Sequence, residues 1–182
     1  NRVGLETTVD FGTKVTLTEA RPVESLTTLS GESIRVSFSG GTNPSETLYA
    51  IKGVDNGTIK YVDSSNNQLA DVPDYQTLAT WGSYRDVVGL TANTTYTFSI
   101  IGKNWEGVTN EGPSSDKATD ANPPEVDTFE DMYITTYSIR PRWKANGNAL
   151  GTEYIVQVST TSDFSVIKAS YTTTELYNCL LY

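Results

Sequence analysis

Ile34, Val36 and Phe38 alternate with Ser33, Arg35, Ser37 and Ser39, so one face of this segment is apolar and the other polar. Successive side chains of a β-strand point to opposite faces, and the alternation predicts a strand packed on one side. The same period runs through Tyr96, Phe98 and Ile100 against Thr95, Thr97 and Ser99, and through Tyr154, Val156 and Val158 against Glu153 and Gln157. Val15 and Leu17 against Lys14 and Thr16 predict one further strand near the N-terminus. Asn56-Gly57, Ser39-Gly40-Gly41 and Asn146-Gly147-Asn148 punctuate these runs with residues that accept positive φ. No segment carries a helical period. The expected class is all-β, with short strands closing a β-sandwich.

The pattern repeats. Ser33-Ile-Arg-Val-Ser-Phe38 lines up with Ser138-Ile-Arg-Pro-Arg-Trp143, 105 residues on (33 to 138), and the same offset carries Asn43 onto Asn148, Thr47 onto Thr152 and Tyr49 onto Tyr154. Asn1-Arg-Val-Gly4 matches Asn104-Trp-Glu-Gly107 at an offset of 103, a slippage of the size loop insertions produce. Solenoid units run to about 20–50 residues, so a period near one hundred is a whole domain.

The run Leu90-Thr-Ala-Asn-Thr-Thr-Tyr96, followed by Thr-Phe-Ser-Ile-Ile-Gly-Lys-Asn104-Trp-Glu-Gly107, resembles the fibronectin type III signature, in which a Leu and a Tyr six residues later precede the penultimate strand and an Asn-x-x-Gly turn follows it. The resemblance implies tandem fibronectin type III-like β-sandwich modules with Greek-key topology. It also implies a tyrosine corner, with the Tyr96 ring in the core and its hydroxyl bonded to backbone just upstream. Leu90, Asn104 and Gly107 are the accompanying structural residues, and the core position that the family fills with Trp falls on Phe38 and Trp143. Ala92 stands where the family commonly has Pro. Pro141 lies inside a predicted strand, where it removes a ladder hydrogen bond, and implies a local bulge.

With that period, residues 1–21 are expected to be the last turn and strand of a preceding module, 22–121 a complete module, and 122–182 the first part of another without its last two strands. The joints Glu19-Ala-Arg-Pro22 and Asp120-Ala-Asn-Pro-Pro-Glu125 are short and proline-bearing. Such joints favour extended geometry over a flexible tether and imply a semi-rigid rod.

Composition narrows the function. The net charge of −9 opposes a phosphate-binding surface, so no nucleic acid partner is expected. No apolar run reaches the roughly 20 residues of a membrane-spanning helix, so no membrane insertion of this segment is expected. Cys179 is the only cysteine, which rules out an intrachain disulfide, and its expected state is a buried thiol. The resemblance to tandem fibronectin type III-like modules implies a secreted or surface protein, and the absence of disulfides together with the loosely kept motif implies a prokaryotic source. The chain has no histidine, which removes the usual general base and the commonest metal ligand. No catalytic residue, cofactor or metal site is expected.

Three features carry residual chemistry. The loop from Asp63 to Asp74 is rich in oxygen ligands but lacks the EF-hand spacing, and a solvated acidic loop stands against calcium as its reading. Around it, Tyr75, Trp81 and Tyr84, with Tyr61, are candidates for stacking on a sugar or peptide or, alternatively, for the edge of the core. Asn56 and Asn93 satisfy the N-glycosylation pattern. The expected role is a non-catalytic scaffold or adhesive spacer whose partners are neighbouring modules, other copies in a fibre, or an extracellular protein or glycan. The alternatives are an accessory carbohydrate- or surface-binding module of an exported enzyme and a filament subunit joined by strand donation.

Overall fold

The computed structural model describes residues 12–127, 133–134, 137–178 and 180–181. The chain is all-β, and residues 25–118 build two facing antiparallel layers. One layer is formed by β1 (Ser25–Ser30), β2 (Ser33–Ser37) and β7 (Tyr84–Val88), with β2 central. The other runs in the order β10 (Ser115–Ala118), β8 (Thr95–Lys103), β3 (Leu48–Asp55), β4 (Thr58–Val62) and β5 (Leu69–Ala70). Two short strands extend its rim, β6 (Gln76–Thr77) on β3 and β9 (Thr109–Glu111) on β8.

The alternating positions read from the sequence face one another between these layers. Ile34 and Val36 from β2 and Val87 from β7 meet Tyr49 and Ile51 from β3 and Phe98 and Ile100 from β8, all buried. Each such side chain contributes about 1.5–3 kcal/mol when fully removed from water. The longest ladder joins β3 to β8, from Leu48 opposite Lys103 to Asp55 opposite Tyr96. Asn56 and Gly57, with φ of 46° and 80°, close the two-residue turn between β3 and β4, where paired left-handed residues match the twist of the strands.

The crossover from β7 to β8 is fixed at Tyr96. Its side chain is 1% exposed, and the Thr91 amide donates a hydrogen bond of 2.9 Å to its hydroxyl. Leu90 is buried beneath the same turn. At the far end of β8, Asn104 opens a turn that Gly107 completes at φ 85°. The Gly107 amide donates to the Asn104 carbonyl at 3.0 Å, and the Val108 amide donates to Asn104 Oδ1 at 2.9 Å.

Three expectations are corrected here. A single helical turn, α1 (Leu78–Trp81), is present where no helical period was read, because four residues are too few to express one. The N-terminal strand expected from Val15 and Leu17 does not form among the described residues. Leu17 is 61% exposed and Thr18 is buried, with Thr18 Oγ1 2.7 Å from where a Cβ on Gly102 would stand. The segment's carbonyls are satisfied by side-chain amides instead of a ladder: Asn104 Nδ2 donates to Thr16 O at 3.1 Å and Asn110 Nδ2 to Thr18 O at 2.8 Å.

The third concerns Pro141. It divides the predicted strand into β13 (Ser138–Arg140) and β14 (Trp143–Lys144), which pair with different neighbours. β13 lies between β12 (Tyr133–Ile134) and β17 (Leu180–Leu181), whereas β14 pairs with β11 (Glu125–Val126). Without an N–H, Pro141 only accepts, from the Asn178 amide at 3.3 Å. Among the described residues this region also holds the antiparallel pair β15 (Tyr154–Ser159) and β16 (Ile167–Thr173). Cys179 and the Asn1–Gly4 match lie outside the described residues.

Tyr96→Phe leaves the Thr91 amide without its acceptor inside the corner. We expect a loss of about 1–2 kcal/mol in urea unfolding, read as a lower midpoint at unchanged slope. A variant as stable as the parent would remove the corner from the interactions that hold the sandwich.

Candidate functional site

Among the described residues, the two short proline-bearing segments read as linkers, Glu19–Pro22 and Asp120–Glu125, share one arrangement of polar groups, an asparagine clamp. The Glu19 amide donates to Asn43 Oδ1 at 2.7 Å, and Asn43 Nδ2 donates back to Glu19 O at 3.2 Å. The Asn122 amide donates to Asn148 Oδ1 at 2.7 Å, and Asn148 Nδ2 donates back to Asn122 O at 2.8 Å. A carboxamide offers one acceptor and two donors in a plane, so it closes on a peptide group as another peptide would. The loops presenting the two asparagines match as well. Asn43 N donates to Gly40 O and Thr47 N to Pro44 O, while Asn148 N donates to Ala145 O and Thr152 N to Ala149 O. Asn43 to Asn148 and Thr47 to Thr152 are shifts of 105 residues.

Each linker is further pinned by its own contacts. Around the first, Arg21 ties the linker to the loop after β2: Nε donates to Ser39 O at 3.1 Å, Nη2 to Ser39 Oγ at 3.0 Å and Nη1 to Glu19 Oε1 at 2.9 Å. A Cβ on Gly112 would collide with the Arg21 carbonyl, so only glycine lets the linker pass this close. Hydrogen bonds from the Thr42 amide at 3.2 Å and hydroxyl at 3.1 Å, together with the Arg21 guanidinium, hold the Glu19 carboxyl below the ordinary glutamate range. Around the second linker, Asn122 Nδ2 donates to Asn146 O at 3.0 Å and Asn146 Nδ2 to Pro123 O at 2.8 Å. Asn122 also occupies the space that a Cβ on Gly31 would need.

The second linker carries one contact more. The turn of the tyrosine corner packs onto the loop that holds Asn148. The Ala149 amide donates to Ala92 O at 3.0 Å, and Asn93 Nδ2 donates to Thr152 Oγ1 at 2.9 Å. Ala92, the departure from the family's Pro, is buried in this contact. The Asn93 amide is therefore engaged, whereas Asn56 stands exposed at its hairpin.

The remaining candidates are dispersed. Phe38 and Tyr49 pack with ring centroids 5.7 Å apart at 59°, and Trp143 and Tyr154 with centroids 5.8 Å apart at 62°. Trp81 is corrected from a candidate binding aromatic to a core residue: it is 1% exposed, and its Nε1 donates to Tyr49 O at 2.7 Å. The short helix α1 turns its indole inward, which no period in the sequence signals. Tyr84 is 47% exposed and carries the Arg35 guanidinium 4.0 Å above its ring, on the outer face of the β1–β2–β7 layer. Tyr75 is half-buried under Lys103 Nζ, at 4.6 Å, on the other layer. The three aromatics do not converge.

The stretch from Asp63 to Asp74, expected as one loop, carries β5, whose Leu69 and Ala70 pair with Val62 and Tyr61 of β4, and its carboxylates are taken up by internal donors. Asp63 Oδ1 accepts from the Ser65 amide at 2.8 Å and hydroxyl at 2.6 Å, and these bonds lower its pKa. Asp74 accepts from the Ser64 amide at 2.9 Å and Gln76 Nε2 at 2.7 Å, and Asp71 pairs with Lys60. Among the described residues no three metal-ligating side chains gather.

Sequence reasoning marked Asn43 and Asn148 only as repeat positions and missed Glu19, Arg21 and Asn122. The available signal was an asparagine recurring at a fixed offset within a loop, close to a short linker.

No protein-family model and no curated protein matches the chain. Among solved structures it is similar to a two fibronectin type III domain segment from chicken tenascin, at 10% identity and a TM-score of 0.53, over 88% of this chain and 82% of that one. The fold is a fibronectin type III-like β-sandwich. Single fibronectin type III domains are also found, from human contactin 1 at 14% identity and a TM-score of 0.44, over 67% of this chain and 100% of that one. A domain of human fibronectin type III domain containing protein 3 follows at 16% identity and a TM-score of 0.42, over 59% and 91%.

The Glu19 contact has a pH signature. A carboxyl whose folded-state pKa is depressed contributes stability above its unfolded value and loses it as pH falls through the folded value. We therefore expect the Thr42 amide resonance to titrate with a midpoint below that of an ordinary glutamate. A midpoint at or above that value would remove the Glu19–Thr42 contact.

Proposed function

We propose that this chain is a tandem array of fibronectin type III-like modules serving as a non-catalytic, semi-rigid spacer in a secreted or surface-exposed protein. The observation that carries the reading is the duplicated clamp. Two linkers about one hundred residues apart are each gripped by a loop asparagine through reciprocal hydrogen bonds of 2.7–3.2 Å. The aromatic pairs Phe38–Tyr49 and Trp143–Tyr154 repeat at the same 105-residue shift and at nearly the same separation. Sandwiches of this fold generally act as structural or interaction modules, which agrees with the reading but does not carry it.

The mechanism is restriction of the hinge. A linker whose backbone is paired to its own module on one side and to the next module on the other has few torsions left to bend. Pro22 or Pro123 and Pro124 fix φ within each joint. Each neutral hydrogen bond contributes about 0.5–1.5 kcal/mol net, so several acting together bias the joint toward one angle without welding it. In this reading the neighbouring modules are the principal partners, and the length of the array sets the distance it spans.

The test is the width of a distance distribution across the second joint. With Cys179→Ser as background, spin labels at Asn56→Cys and Ser162→Cys are expected to give a narrow distribution that broadens on Asn148→Ala. A distribution already broad in the parent chain, or unaffected by Asn148→Ala, would end the semi-rigid reading.

A further inference from the structure

The first linker runs beside an open cleft of about 650 Å³, lined by that linker, the loop from Thr42 to Thr47, Asn104 and Trp105. Two large apolar side chains stand bare there, Leu17 at 61% and Trp105 at 79% exposed. The second joint is an internal template for what such a surface holds. There, the corner turn is held by the outgoing strand: Thr94 N donates to Thr119 Oγ1 and Thr119 N to Thr94 O, both at 3.0 Å, and Asn93 N donates to Asp120 O at 3.0 Å. On its other side the turn meets Ala149 and Thr152, as described above. Shifting by the linker offset of 103 puts Thr16 at the place of Thr119 and Leu17 at that of Asp120. Shifting by the loop offset of 105 puts Pro44 at Ala149 and Thr47 at Thr152. All four shifted residues line the open cleft.

We infer that this cleft is the docking face for the tyrosine-corner turn of another fibronectin type III-like module placed N-terminally in the same polypeptide. The inference rests on the spacer reading and specifies its geometry. The turn of residues 90–94 of a second copy is not the occupant, because in this chain it is already seated on Ala149 and Thr152. The two joints are not chemically identical. Pro44 has no N–H, so the bond that Ala149 gives to Ala92 has no counterpart, and the missing donor is offset by apolar cover from Trp105 and Leu17. The incoming turn therefore presents a small apolar residue at the place of Ala92 and an amide or hydroxyl that reaches Thr47 Oγ1.

The experiment lengthens the chain by its own pattern. A copy of residues 22–118 carrying Trp105→Phe is joined directly to Thr16 of the otherwise complete chain, which sets the copy's last strand and corner in the register of the second joint. With Trp143→Phe in both chains, so that the only other indoles are buried Trp81 residues, Trp105 of the receiving module is then followed by iodide quenching, against the unextended chain. Burial under the docked turn is expected to reduce its quenching by half or more, and Thr47→Arg in the receiving module, which fills the cleft, is expected to restore it. Should the extended chain fail to fold, a second one joins a copy of residues 22–114 to Gly12 and is measured in the same way. Quenching equal to that of the unextended chain, in a folded extended chain, overturns the docking face. Solution scattering on the same sample keeps this outcome distinct from failure of the spacer reading: a longer particle with unprotected Trp105 preserves the rod and rejects the face.

Discussion

The ladder between β3 and β8 is the constraint from which the rest of the molecule hangs. Its register, from Leu48 against Lys103 to Asp55 against Tyr96, sets the length of the sandwich and decides what stands at each pole. At one pole, the loop leading into β3 carries Asn43 and Thr47, and the turn leaving β8 carries Asn104. At the other, the corner leading into β8 carries Ala92 and Asn93. Both linkers are gripped at these poles. A slip of one residue would turn the buried face outward and misplace the clamps together.

A second constraint follows from backbone chemistry. Peptide groups that leave a ladder still need partners, and in a short connection between folded units water is only partly available. Here side-chain amides take over. Asn43, Asn104, Asn110, Asn146 and Asn148 each bond a carbonyl of a linker or of the segment beside it. Asparagine suits the role because its short side chain has little rotamer freedom to lose and carries donor and acceptor together. The binding energy is modest, but its geometric content is high, since each amide fixes a backbone segment in place and direction.

The candidate binding surfaces of the complete sandwich are less organised than its joints. Tyr84 sits under Arg35, itself paired with Asp86 through contacts of 2.6 and 2.8 Å, on one outer face. Tyr75 lies on the other. The acidic stretch from Asp63 to Asp74 spends its carboxylates on its own amides and on Gln76 and Lys60. Polar chemistry in this chain is directed mainly at holding its own backbone.

Much of this was legible in the amino-acid order. Period-two alternation at Ile34–Phe38 and Tyr96–Ile100 determined which faces are buried, because strand geometry leaves side chains no other choice. The Leu90–Tyr96 spacing and the recurrence of Asn43, Thr47 and Tyr49 at a fixed offset marked the corner and the repeated unit. What only the tertiary structure decided were matters of partner rather than period. Trp81 is core because a four-residue helix turns it inward, Val15 and Leu17 form no strand because distant asparagines occupy the backbone beside them, and Pro141 splits one strand into two with different neighbours. The clamps belong to the same class: Asn43 and Asn148 reach backbone 24 and 26 residues away, and an amide's partner is fixed by where the fold brings a peptide group, which no local pattern encodes.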